Sequence, residues 1–158
     1  VIKLQDFVSD YVSKGANYPN SVAVTLLIWL MDLDDMATAT PLALHLIKQG
    51  IHRTPANFHS DLPSFVCKAF YDWASARHKK NQAAGPYLHN IVHVMADDGW
   101  DVSDKDSGMM FAMLGKHYEL AGQDNEAVEM YRLALRENDG AGVKKRLSDL
   151  EKKLGLDS

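Results

Sequence analysis

Two short stretches carry side chains of the types and spacing that chemistry needs. The first is "MDLDD", residues 31–35, where Asp32, Asp34 and Asp35 stand directly behind the most apolar run of the chain, "VAVTLLIWL". Hard cations such as magnesium take carboxylate oxygens, and two-metal nucleases gather several acids near one point. Asp32 and Asp35 are therefore the candidate catalytic acids for cutting a phosphodiester. Against this, neighbouring acids on a helix point in different directions, and Asp35 is well placed to cap a helix near its positive end. No other acid stands at a spacing that must complete such a site, and the reading preferred here is a structural turn.

The second stretch is "HNIVHVMAD", in which His89 and His93 share a helix face and Asp97 follows one turn later. His-x3-His is a genuine zinc-ligand spacing. The general base of the His-Glu-x-x-His proteases is missing, because Asn90 stands in its place. A structural or surface role suits these histidines better than a metal, and no cofactor is expected. Phosphate-contact candidates are Arg77, Lys79 and Lys80 in "RHKK", Lys144 and Lys145 in "VKKRLSDLEKK", and His52 and Arg53 in "HRTP". The first cluster sits at a helix C-terminus, where positive charge is favoured, and the second is interleaved with acids, as on a solvated amphipathic face. There is no Gly-rich phosphate loop, no Ser/His/Asp signature and no Cys/His dyad.

The elements that must position these residues read as helices. The chain has 158 residues, of which 46% are hydrophobic, enough for one domain with a real core. No run of alternating β-branched residues suggests a strand, so an all-α fold of antiparallel helical hairpins is expected. Periodicity predicts helices over residues 2–12, 21–33, 63–79, 87–96, 107–121, 125–137 and 142–154. A further helix ends at Gln49 before Gly50, and either Asp35 or the pair Thr40-Pro41 could begin it. The helix over 21–33 is apolar nearly all round and should be central. "DDGWDVSDKD" reads as a loop. The single domain divides into N-terminal helices (1–59), variable helices and a loop (60–106), and a terminal unit with a final helix (107–155).

The formal net charge is -4, whereas a domain whose main task is gripping DNA is usually basic. One cysteine, Cys67, excludes an internal disulfide and a Cys-based zinc site, and suits a reducing cytoplasm. No apolar run approaches the roughly 18 residues of a membrane span, and no secretory signal is visible. The chain starts at Val1 rather than Met, as expected of a piece of a longer chain.

The last third holds a more specific pattern. "FAMLGKHYELAGQDNEAVEMYRLAL" spaces Phe111, Leu114, Gly115, Tyr118, Ala127, Tyr131 and Ala134 as in a tetratricopeptide unit, where small residues let two helices approach and aromatics fill the gaps. Asp124 or Asn125 should cap its second helix. The earlier pair "LLIWLMDLDDMATATPLALHLIKQG" has a weaker form of this grammar, with Asp34 and Asp35 falling where Gln123 and Asp124 fall. One unit cannot bury its own face, so other helices or subunits must cover it.

Three stretches together, "LLIWLMDLDDMATATPLALHLIKQGI", "HRTP", and "LGKHYELAGQDNEAVEMYRLAL" running into "GAGVKKRLSDLEKKL", resemble in order and spacing the small terminase subunit of phages of the P-two type, often labelled the terminase endonuclease subunit. The resemblance is strongest over residues 22–54 and 108–154 and weakest over 60–106. It implies a role in packaging viral DNA in the host cytoplasm. The implied partners are a large terminase motor subunit, further copies of the same chain, and phage DNA gripped mainly through charged ends outside this sequence. In that family a Gly-Asp dipeptide is usual at the turn between the paired helices, and here Asp34 replaces the glycine. Trp73, Tyr87 and Trp100, near loops, are the expected contact surface. Two functions from different classes thus stand: a non-catalytic, self-associating scaffold, and a metal-dependent endonuclease using Asp32, Asp35 and His89 or His93. A generic tetratricopeptide-like adaptor is a third.

Overall fold

The structure is a computed structural model that describes Asp6 and residues 20–51 and 61–156. Among these residues there are helices and no strand, as the periodicity requires: α1 (Asn20–Asp32), α2 (Met36–Lys48), α3 (Leu62–Lys79), α4 (Gly85–Asp97), α5 (Asp104–Leu120), α6 (Asp124–Glu137) and α7 (Lys144–Leu154). His52 and Arg53, and the helix expected over 2–12 apart from Asp6, lie outside the described residues. The chain divides into two compact units, residues 1–66 and 67–158.

In the first unit α1 and α2 form a hairpin. Ala23, Val24, Leu27 and Leu30 of α1, and Met36, Ala39, Leu42, Ala43 and Leu46 of α2, are buried. The turn between them is built from backbone bonds: Asp34 N–H donates to the Met31 carbonyl at 3.0 Å, and Asp35 N–H donates to the Leu30 carbonyl at 2.9 Å. That pair of bonds is a Schellman closure, which needs a left-handed residue at its centre. Asp34 is that residue, at φ 60. Asp35 then caps α2, its carboxylate accepting from Thr38 N–H at 3.3 Å. Of the two possible starts for α2, Asp35 therefore prevails, and Pro41 lies inside the helix. Pro41 has no N–H to donate back along the helix, an omission its exposed position lets water offset.

In the second unit the most extensive helix contact is between α5 and α6. It depends on two glycines. A Cβ at Gly115 would stand 2.6 Å from Tyr131 Cε1, and one at Gly108 would stand 2.6 Å from Asn138 Cβ. Ala127, Tyr131 and Ala134 are fully buried against this seam, as their small-and-aromatic spacing predicts. The Tyr131 hydroxyl donates to Glu119 at 2.7 Å, so the ring is anchored at both ends. α7 packs on α6, with Arg132 of α6 paired to Glu151 at 2.9 Å.

Two sequence expectations change here. The α5–α6 turn closes on the same bonds as the first hairpin, with Gly122 (φ 78) donating to Glu119 and Gln123 to Tyr118. Asp34 therefore matches Gly122, not Gln123, and Asp35 matches Gln123, not Asp124. The N-cap of α6 is likewise Gln123, which makes no side-chain cap bond; Asp124 is already the first helical residue. The closure consumes one residue fewer than the composition of the loop suggests.

Candidate functional site

The "MDLDD" acids are held by the turn just described. Asp32 ends α1, Asp34 supplies the left-handed residue and Asp35 is a cap. Asp32 and Asp34 are exposed. Among the described residues no group of three or more His, Cys, Asp or Glu is placed to hold a metal ion.

His89 and His93 do share a face of α4, their ring centroids 4.1 Å apart. His89 Nδ1 lies 2.5 Å from the Tyr118 hydroxyl of α5. Desolvation, then the neighbouring His93, hold the His89 pKa below the ordinary histidine value, which favours a neutral ring. Burial, then Glu126 and Glu129, raise that of Tyr118, so the phenol keeps its proton to share with His89. Farther along α4, His93 and Asp97 line a cleft of about 470 Å³ with Trp100 of the following loop and residues of α5 and α6.

A second polar cluster, unforeseen from the sequence, surrounds His117. This side chain is buried, its Nε2 lying 2.8 Å from the Ala74 carbonyl of α3, while Nδ1 has no hydrogen-bond partner among the described residues. His78 stands edge-on to it at 5.6 Å. Desolvation is the main cause that lowers the pKa of both. A neutral ring with the proton on Nε2 fits this arrangement. A histidine on the inner face of an apolar helix was the available signal.

The basic candidates divide by their partners. Arg77 stacks over Trp73 at 5.2 Å and donates from Nε to the Ala83 carbonyl at 2.6 Å. Lys144 pairs with Asp139 at 3.0 Å. Lys79, Lys80 and Lys145 are exposed. Farther along α7, Lys153 pairs with Asp124 at 2.7 Å and Arg146 with Glu119 at 3.4 Å, which turns part of the basic stretch inward to α5 and α6.

Trp73, Tyr87 and Trp100 are each half-buried. Trp73 and Tyr87 pack together with ring centroids 6.2 Å apart, bridging α3 and α4. Among the described residues the most exposed large apolar side chains are Val22 and Trp29 of α1, at 49% and 59%, and Leu33 of the following turn, at 70%; Leu120 and Leu156 are exposed as well. Val22 and Trp29 lie two turns apart on α1 and Leu33 follows one turn beyond Trp29, so the three fall on one side; α1 has no basic residue, and its one acid, Asp32, is exposed at its last position. An apolar circumference was legible in the sequence, but only the placement of α2 decides which side is left open.

A family model described as phage small terminase subunit matches residues 2–105. The chain belongs to that family. The matched region takes in the apolar patch, the acidic turn and the His89–His93 helix, and covers all but the last residue of 60–106, where the resemblance drawn above was weakest. A curated relative named "Probable terminase, endonuclease subunit", from Haemophilus phage HP1 (strain HP1c1), is 33% identical over 82 residues. Those residues are 52% of this chain and 29% of the relative, so the chain spans less than a third of its length. No solved structure matches. Among the described residues, no helix is long and apolar enough to cross a membrane.

Proposed function

We propose that this chain is the core of a phage small terminase subunit, acting in viral genome packaging in the host cytoplasm as a self-associating scaffold. It helps bring packaging-site DNA to a large terminase motor subunit. The observation that carries this reading is the exposed apolar patch of Val22, Trp29 and Leu33 within the family-matched region. An apolar patch is self-complementary, so a second copy can cover it. Large exposed apolar residues on one helix face mark an interaction surface. Trp29 has the character of an interface anchor, large and rigid.

The DNA contacts fall to Lys79, Lys80 and Lys145, which are exposed, and to His52 and Arg53. With a net charge of -4 these contacts are auxiliary. The test is the solution molar mass of Trp29→Glu/Leu33→Glu beside that of the unaltered chain. Loss of assembly with helicity retained supports the scaffold; unchanged assembly removes α1 from the interface.

The relative's name favours a second reading, a metal-dependent endonuclease subunit. That reading requires Asp32 and Asp35 to bind magnesium or manganese. Cleavage of packaging-site DNA that depends on the metal and disappears in Asp32→Asn/Asp35→Asn would establish it in place of the scaffold.

A further inference from the structure

The cleft beside α4 has a floor and a rim of opposite character. Phe111, Met130 and Leu133 form apolar walls from α5 and α6, and Trp100 stands at one side. Asp97, Asp104 and Glu137 edge it, and no lysine or arginine is among its lining residues. None of the three carboxylates takes part in an ion pair found among the described residues.

Two of these acids sit where a helix does not favour them. Asp97 is the last residue of α4 and Glu137 the last of α6, each at the negative end of its own helix dipole. Asp104 instead begins α5, at a positive helix end that favours it. Three carboxylates and two helix C-termini still leave the rim with an excess of negative charge over apolar walls. Such a surface repels phosphate and attracts a cation with a greasy stem. A bare metal ion is a poorer match, since these residues do not form a group able to hold one.

We propose that this cleft docks a short segment of a partner protein in which lysine or arginine flanks an apolar side chain. The aliphatic or aromatic residue enters between Phe111, Met130 and Leu133. The basic side chain lays its methylenes along Trp100 and brings its charge to Asp97 and Glu137. The volume of about 470 Å³ falls within the range of clefts that bury a whole ligand group, larger than a single water site and smaller than a folded domain needs. Charge complementarity selects the segment, and the apolar walls hold it. The site is distinct from the α1 stripe, so it stands whether or not α1 mediates self-association.

The test is selection from a library of short random peptides displayed on a carrier, with the unaltered chain and Asp97→Asn/Glu137→Gln as parallel baits. Neutralising these two acids relieves helix ends rather than breaking caps, so the variant keeps its fold, which far-UV circular dichroism verifies. Peptides with Lys or Arg beside Leu, Met, Phe or Trp should be enriched on the unaltered chain. A selected peptide should bind the variant about tenfold more weakly, and should shift the Met130 methyl resonance when it binds the unaltered chain. No enrichment of such peptides, or an enrichment and affinity unchanged in the variant, overturns the proposal.

Discussion

Replacing Gly115 by alanine sets two effects of opposite sign against each other. Alanine is the better helix former, worth about 1 kcal/mol over glycine in a helix interior. The new methyl, however, would lie 2.6 Å from Tyr131 Cε1, 2.7 Å from Tyr131 Cδ1 and 3.3 Å from Met130 Cβ. Tyr131 is fully buried and its hydroxyl is held by Glu119 at 2.7 Å, so the ring cannot swing aside without losing that bond. Overpacking of this kind costs typically about 1–3 kcal/mol, and loss of the hydroxyl bond to a charged group adds about 1.5 kcal/mol or more. The contact cost therefore exceeds the propensity gain, leaving a net loss of about 1.5–3.5 kcal/mol. For a domain of this size that is a fall in melting temperature of roughly 3–14 °C. Thermal unfolding of Gly115→Ala followed by far-UV circular dichroism measures it. A melting temperature equal to or above that of the unaltered chain would refute the close approach of α5 and α6, since propensity alone would then decide.

Three further outcomes follow from particular residues. Asp34→Gly should stabilise by about 0.5–1 kcal/mol by releasing a left-handed aspartate, while Asp35→Ala should cost about 1 kcal/mol through loss of its cap; denaturant titration reads both. Opposite signs at adjacent acids are what a turn gives and a metal site does not. Thr40→Val should be neutral or stabilising by up to about 1 kcal/mol in the same assay, because the Thr40 hydroxyl is buried and has no hydrogen-bond partner among the described residues. For pH, burial lowers the folded pKa of His78 and His117 below 6.5, so the unfolded chain binds more protons as acid is added. Stability contributed by the neutral rings is fully present above pH 6.5 and is lost as pH falls from there through the lowered values; denaturant midpoints recorded across this window should fall, and fall less in His117→Gln.

Helix existence was legible because the apolar positions recur every three or four residues, and α3 and α6 lie within one residue of their expected limits. Boundaries moved where local signals competed. α5 begins at Asp104 rather than 107, because Ser103 caps it by accepting from Asp106 N–H at 3.1 Å, and the acids of a seemingly loop-like run suit a helix N-terminus. Pro41 suggested a helix start, yet the Schellman closure with the Asp35 cap fixes the start one turn and more earlier. The seam of Gly115, Ala127, Tyr131 and Ala134 was readable since close helix packing needs small residues at set spacing. Gly108 was not, because its neighbour Asn138 is contributed by the far end of the next helix. The surfaces were least legible. Trp29 differs from Leu30 only in which side of α1 its partner covers, and the cleft at Trp100 exists only once α4, α5 and α6 are in place.

The most direct test of the central claim is the molar mass of this chain in solution, by light scattering behind a sizing column at low and high salt. Self-association through an apolar stripe on α1 predicts a discrete multiple of 17.6 kDa that persists at high salt, where charge-driven contacts are screened. A single 17.6 kDa species at both salts and at high protein concentration would contradict it.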